Sequence, residues 1–146
     1  MLKHFNLILL NKLGGIKMTY IYEKLDVWQK AMQFASDVMD AMSKINSNGY
    51  HQEILQHTEG SAAGIARAIA MGKSYSSKHD FARHLYQARG SLYQTMTQLD
   101  LLKRKDLIAG DKFTEFDTTG NQLTAMLTAL IKSIYTPKSD NGKQAS

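Results

Sequence analysis

The segment 80–102, DFARHLYQARGSLYQTMTQLDLL, constrains this chain more than any other. At helical spacing it gathers Phe81, Leu85, Ala88, Leu92, Thr95 and Leu99 on one face. The opposite face carries His79, Arg83, Tyr86, Gly90, Tyr93 and Thr97, because residues three, four and seven apart stack on one side of an α-helix. A helix that is apolar behind and basic and aromatic in front has a core to complete and a surface to offer.

Three further segments carry the same period. The first predicts a helix from near Tyr22 to near Asn46 with two apolar stripes, one through Leu25, Trp28, Met32, Ala35, Met39 and Met42, the other through Val27, Ala31, Phe34, Val38, Ala41 and Ile45. Two stripes imply a helix covered on two sides, by its own bundle and by a second subunit. The second helix, about His51 to Gly72, repeats small residues every fourth position, at Gly60, Gly64, Ala68 and Gly72, beside a larger apolar face of Ile54, Thr58, Ala62, Ile65 and Ile69. Glycine inside a helix costs about 1 kcal/mol relative to alanine, so close approach of another helix backbone is expected there. Ser77 to Asp80 reads as a capping box opening the third helix. After a loop at Asp106 to Asp111, Phe113, Phe116, Gly120, Leu123, Leu127, Leu130 and Ile134 form the fourth repeat. Four amphipathic segments, short connections and one proline, Pro137, beyond the last of them predict an all-α, up-down-up-down antiparallel four-helix bundle.

The formal charge of +5 is unevenly placed. Residues 1–17 supply Lys3, Lys12 and Lys17 with no acid, and the remainder has 15 Lys+Arg against 13 Asp+Glu, a net of +2. From Arg67 to Lys105 eight cations face Asp80 and Asp100, whereas from Met18 to Glu59 three lysines face six acids. A basic middle with acidic flanks suits a nucleic acid or the acidic face of a neighbouring subunit. Residues 1–17 fit neither a signal peptide nor a membrane span. Gly14 and Gly15 are encodable by a ribosome-binding sequence just before Met18, so the expectation is a non-native or disordered leader over 1–17, a bundle over 18–136 and a disordered tail over 137–146. A chain without cysteine is assigned to the reducing cytoplasm.

Two motifs carry a family resemblance. Residues 22–31, YEKLDVWQKA, resemble the opening of the 23S rRNA intervening-sequence proteins, and Ala88-Arg89-Gly90-Ser91-Leu92, after Asp80-Phe81 and before Gln98-Leu99, resembles their third-helix signature. The similarity runs from about Tyr22 to Ile134. It implies a cytoplasmic bacterial four-helix bundle, commonly a homopentameric ring, similar in fold to the accessory variability protein of diversity-generating retroelements, which works with a reverse transcriptase and its RNA. Relatives carry Asn-Ile-Ala-Glu-Gly at the end of helix two where this chain has Ala68-Ile69-Ala70-Met71-Gly72, and an arginine where this chain has Gly60.

Catalysis finds no foothold in these residues. There is no cysteine, no Gly-x-Ser-x-Gly and no phosphate loop. Glu53 and His57 have no second such pair to make a di-metal site, so neither metal nor cofactor is expected. Arg67, Lys73, Lys78, Arg83, Arg89, Lys103, Arg104 and Lys105 are the candidate phosphate contacts, with Lys103 to Lys105 also suited to complementing a helix C-terminus. Tyr86 and Tyr93 can stack on bases or anchor a protein contact. Trp28, Gly60, Gly64, Tyr86, Gly90 and Tyr93 are the candidate subunit interface. Six of the eight methionines, Met32, Met39, Met42, Met71, Met96 and Met126, are expected to fill the core.

Overall fold

Each apolar repeat forms one helix. A computed structural model describes residues 19–136; the leader and tail expectations lie outside the described residues. A short 3-10 turn, Ile21–Lys24, precedes α1, Asp26–Ser43. Then come α2, Gln52–Lys73, α3, Lys78–Arg104, and α4, Gly110–Tyr135. Consecutive helices pack side by side and α4 returns against α1. The direction of packing follows from particular pairs. The end of α2 meets the start of α3, where a Cβ on Gly72 would lie 2.6 Å from His84 Cβ, and Ser61 earlier in α2 meets Thr95 and Gln98 later in α3. Arg89 reaches Thr128 on α4 while Lys103 covers Phe113, so α3 and α4 are also antiparallel.

The first helix differs from its expectation at both ends. Leu25 is extended, with φ −82° and ψ 118°, so the segment from Tyr22 does not run straight into α1. The Tyr22 ring instead tilts onto Trp28 at 4.9 Å, and Gln29 Nε2 donates to the Glu23 carbonyl at 3.0 Å. At the other end α1 stops at Ser43, and left-handed Asn48 and Gly49 turn the chain toward α2. The α3–α4 connection uses Asp106 rather than Gly110 as its left-handed residue, at φ 57°. There the Leu107 N–H donates to the Leu102 carbonyl and the Asp106 N–H to that of Lys103, both at 2.9 Å, which satisfies carbonyls a helix end leaves free. Gly110 opens α4.

The two α1 stripes enter the core unequally, the one through Trp28 contributing only Ala35 and Met42 as buried residues. Val27, Ala31, Phe34 and Val38 are buried, with the Phe34 ring edge-on to Phe116 of α4 at 5.9 Å. Met32 and Met39 of the other stripe are 46% and 47% exposed, and Met71 on α2 is exposed too. Of the six methionines only Met42 is fully in the core, with Met96 and Met126 half-buried against it. Shape decides this. The side of α1 holding Phe34 faces Phe116, whereas the side holding Met32 and Met39 faces Ala63, Ala66 and Ala70, which are too short to cover it.

On α3 the buried face is the expected one from Phe81 to Leu99, widened by Ala82, His84 and Leu102. Two buried threonines, Thr58 on α2 and Thr95 on α3, are satisfied. Thr58 donates to the Ile54 carbonyl at 2.6 Å and Thr95 to the Ser91 carbonyl at 2.8 Å. The Thr95 hydroxyl also lies 2.7 Å from Ser61 Oγ, which sits 3.2 Å from Gln98 Oε1. His84 Nδ1 is 2.7 Å from the Asp80 carbonyl, which can only accept, so the proton sits on Nδ1, and the ring stacks on Tyr75 at 5.0 Å. Among the described residues no helix is long and apolar enough to cross a membrane.

Candidate functional site

The candidate cations do not form one patch. α3 is 27 residues long, about 40 Å at 1.5 Å per residue, and its cations fall in two groups, Lys78, Arg83 and Arg89 along the first half and Lys103 and Arg104 in the last turn. At the far end, Arg104 Nε and Nη2 both lie 3.3 Å from Asp100 Oδ2, and Lys103 Nζ lies 3.5 Å from Asp100 Oδ1 and 4.2 Å above the Phe113 ring. Asp100 therefore answers two of the three cations there, and Lys105 stands exposed at the helix cap beside Asp106.

The hydrogen bond from Arg104, with the charges of Arg104 and Lys103, holds the Asp100 carboxyl below the usual aspartate range against a smaller opposing effect of desolvation. A carboxyl depressed in the folded state adds stability that is present above its unfolded pKa, about 3.9, and is lost as pH falls through its lower folded value. Thermal melts of wild type and Asp100→Asn should accordingly differ by a constant amount above about pH 5 and converge as pH falls through the lowered folded value. A difference that persists at the acid end would place the carboxylate outside this pair.

The near end is different. Lys73 Nζ lies 5.1 Å over the Phe81 ring, and Lys78 begins α3 exposed. Arg83 meets Asp80 at 3.2 Å with the two side chains 69% and 41% exposed, a surface pair worth little. The Arg89 guanidinium lies 5.0 Å from the Tyr86 ring, with Nη1 3.3 Å from Thr128. Antiparallel packing adds a cation that spacing alone missed. Lys132 lies on α4 between Thr128, which Arg89 touches, and Tyr135, whose ring is 5.5 Å from His79. Lys73, Lys78, Arg83, Arg89 and Lys132 thus lie along the half of the bundle that holds the start of α3, where Asp80 is the acid of stretches 73–89 and 128–135. The N-terminus of α3, capped by Ser77 Oγ accepting from the Asp80 N–H at 3.4 Å, adds its own positive partial charge.

Arg67 stands apart. It points back along α2, with Nη2 3.5 Å from the Gly60 carbonyl and close over Gly64. The small-residue repeat is not used uniformly. Gly72 is pressed against His84 and Phe81, Gly64 would meet Ser91 at an ordinary 3.4 Å, and Gly60 and Gly90 face open space. The close approach expected at Gly60 is therefore absent within the subunit. Gly60→Ala should raise the stability of the separated chain by about 1 kcal/mol, read as a higher urea midpoint. A lower midpoint would mean that the backbone there needs glycine.

The remaining candidates surround the bundle's apolar surface. Trp28 is half-buried at the mouth of a groove between α1 and α2 that holds about 510 Å³, walled by Met32 and Met39 and floored by Ala63, Ala66 and Ala70. Tyr86 and Tyr93, 47% and 52% exposed, flank Gly90 on the outer face of α3. Among the described residues no three histidine or acidic side chains converge as metal ligands would.

This order of helices and the paired motifs coincide with a known pattern. A family model described as 23S rRNA-intervening sequence protein matches residues 23–129. The chain belongs to that family. A solved structure of a protein of unknown function from the S23 ribosomal protein family of Bacteroides thetaiotaomicron superposes with a TM-score of 0.68 at 20% identity, over 73% of this chain and 95% of that one. It supports the fold assigned to this 23S rRNA-intervening sequence family member. No curated protein matches the chain. The match begins at Glu23 and so takes in Trp28, the whole α2 glycine repeat and the α3 cations, but ends before Lys132.

Proposed function

We propose that this protein is a non-enzymatic, cytoplasmic accessory protein that assembles with copies of itself and holds structured RNA at the basic half of the bundle. The observation that carries this reading is the group of Lys73, Lys78, Arg83, Arg89 and Lys132 along the half that holds the start of α3, with Tyr75 and Tyr86 exposed beside it. Each cation makes a weak phosphate contact, and an oligomer sums them across its subunits. The family resemblance supports a pentameric ring and a role as platform for a reverse transcriptase and its RNA.

The test is a binding titration of the nuclease-treated, salt-washed protein with a fluorescent structured RNA at rising salt. Phosphate contacts predict an affinity that falls linearly on a log–log plot. Absence of binding at 50 mM salt would reject the reading. A second reading, an adaptor that engages only protein, is favoured by the pairing of Lys103 and Arg104 with Asp100 and by the modest net charge after the leader. It predicts an oligomer free of nucleic acid, whose association resists salt.

A further inference from the structure

We propose that the groove between α1 and α2 receives the outer face of α3 from a second copy of this chain, head to tail. This deepens the self-association in the reading above but does not rest on nucleic-acid binding.

Four observations meet here. The groove is open and apolar, with Trp28, Met32 and Met39 on one wall and Ala63, Ala66 and Ala70 as a floor of small residues. The exposed face of α3 offers two large knobs, Tyr86 and Tyr93, seven residues apart. Seven residues are two helical turns, about 10.5 Å, and Met32 to Met39 and Ala63 to Ala70 span the same interval, so knobs and holes share one period. Between the tyrosines, Gly90 meets nothing of its own subunit. A glycine inside α3 that no internal contact requires lets a groove wall reach the helix backbone.

Charge selects the occupant. α1 and α2, which wall the groove and line it with Asp40 and Arg67, together carry five acids against three cations, a net of −2, and α3 five cations against two acids, a net of +3. A second copy supplies the matching shape and the matching sign together. Face and groove lie on different sides of the bundle, because α3 contacts α2 and α4 and makes no close packing with α1. Each copy therefore uses one of each, and the contact is heterologous, which closes into a ring or runs on.

Such a contact has a diagnostic behaviour in mixtures. The pair Met32→Glu with Met39→Glu spoils the groove, and the pair Tyr86→Glu with Tyr93→Glu spoils the face. After nuclease treatment, in 0.5 M salt (roughly ten times the ionic strength of the low-salt binding assay), wild type should elute as a multiple of 16.4 kDa and each variant as a single chain. An equimolar mixture of the two variants should give a 1:1 heterodimer and nothing larger, since one good groove meets one good face. A monomeric wild type, a variant that keeps the wild-type mass, a variant that dimerises alone, or a mixture that stays monomeric would each overturn the proposal. If circular dichroism shows that a glutamate pair has lost its helices, the glutamine versions of the same pairs carry the test. A heterodimer that binds no RNA would leave this contact standing and remove the nucleic-acid reading.

Discussion

Gly72→Ala should lower the stability of the bundle by about 1–3 kcal/mol, the usual cost of overpacking a filled site. The added Cβ would lie 2.6 Å from His84 Cβ and 3.0 Å from Phe81 Cδ2. His84 Cβ is bonded directly to the α3 backbone and cannot swing aside. The imidazole beyond it is held by the Asp80 carbonyl and by Tyr75, so α2 and α3 must separate. The better helix propensity of alanine offsets less than about 1 kcal/mol of this, because the site lies in the last turn of α2. Urea unfolding checks it through a lower midpoint at unchanged slope. An equal or higher midpoint would mean that the two helices are not in contact at this point. Gly60→Ala, with the same residue change on the same helix, is expected to act with the opposite sign.

Reversal of Arg83 and Arg89 to glutamate should weaken RNA binding by about 100-fold or more at 50 mM salt and reduce the salt slope by about two. Both residues sit in the first half of α3, where stretches 73–89 and 128–135 hold five cations and one acid, and each reversal replaces a phosphate contact with a repulsion. Arg83 gives up only an exposed pair with Asp80. Arg89 gives up its Thr128 contact and its place over Tyr86, so unfolding should change little. An unaltered affinity at low salt would reject the assignment. The same double substitution at Lys103 and Arg104 should have a smaller effect on binding, since Asp100 already neutralises much of that end.

The helices and most of their buried faces were legible because burial on one side of a helix imposes a period, and α3 and α4 follow it from Phe81 to Leu99 and from Phe116 to Leu127. Periodicity could not choose between the two stripes of α1. Both are apolar, and the choice depends on what stands opposite, Phe116 or a row of alanines. Nor could it separate Gly60 from Gly72, which belong to one four-residue repeat but meet open space and an imidazole. The cations illustrate the same limit. Counting charges along 67–105 merges cations of α2 and the first half of α3 with those of the last turn of α3, while Lys132, some 40 residues beyond Arg89, joins the first group only through antiparallel packing. His84 escaped notice because its burial depends on the side chain that Gly72 lacks.

The hydroxyls of Ser61 and Thr95, with Gln98 beside them, have a consequence for how α2 can sit on α3. A surface that repeats glycine and alanine every fourth residue looks nearly the same after sliding one turn, about 5.4 Å. Such a slip would set Ile65 or His57 opposite Thr95 in place of Ser61. The contact between the two hydroxyls would be lost, at a cost of about 0.5–1.5 kcal/mol for one hydrogen bond, while Thr95 keeps the Ser91 carbonyl and Ser61 that of Thr58. One small polar contact thus acts as a detent, selecting a single position along an otherwise smooth track.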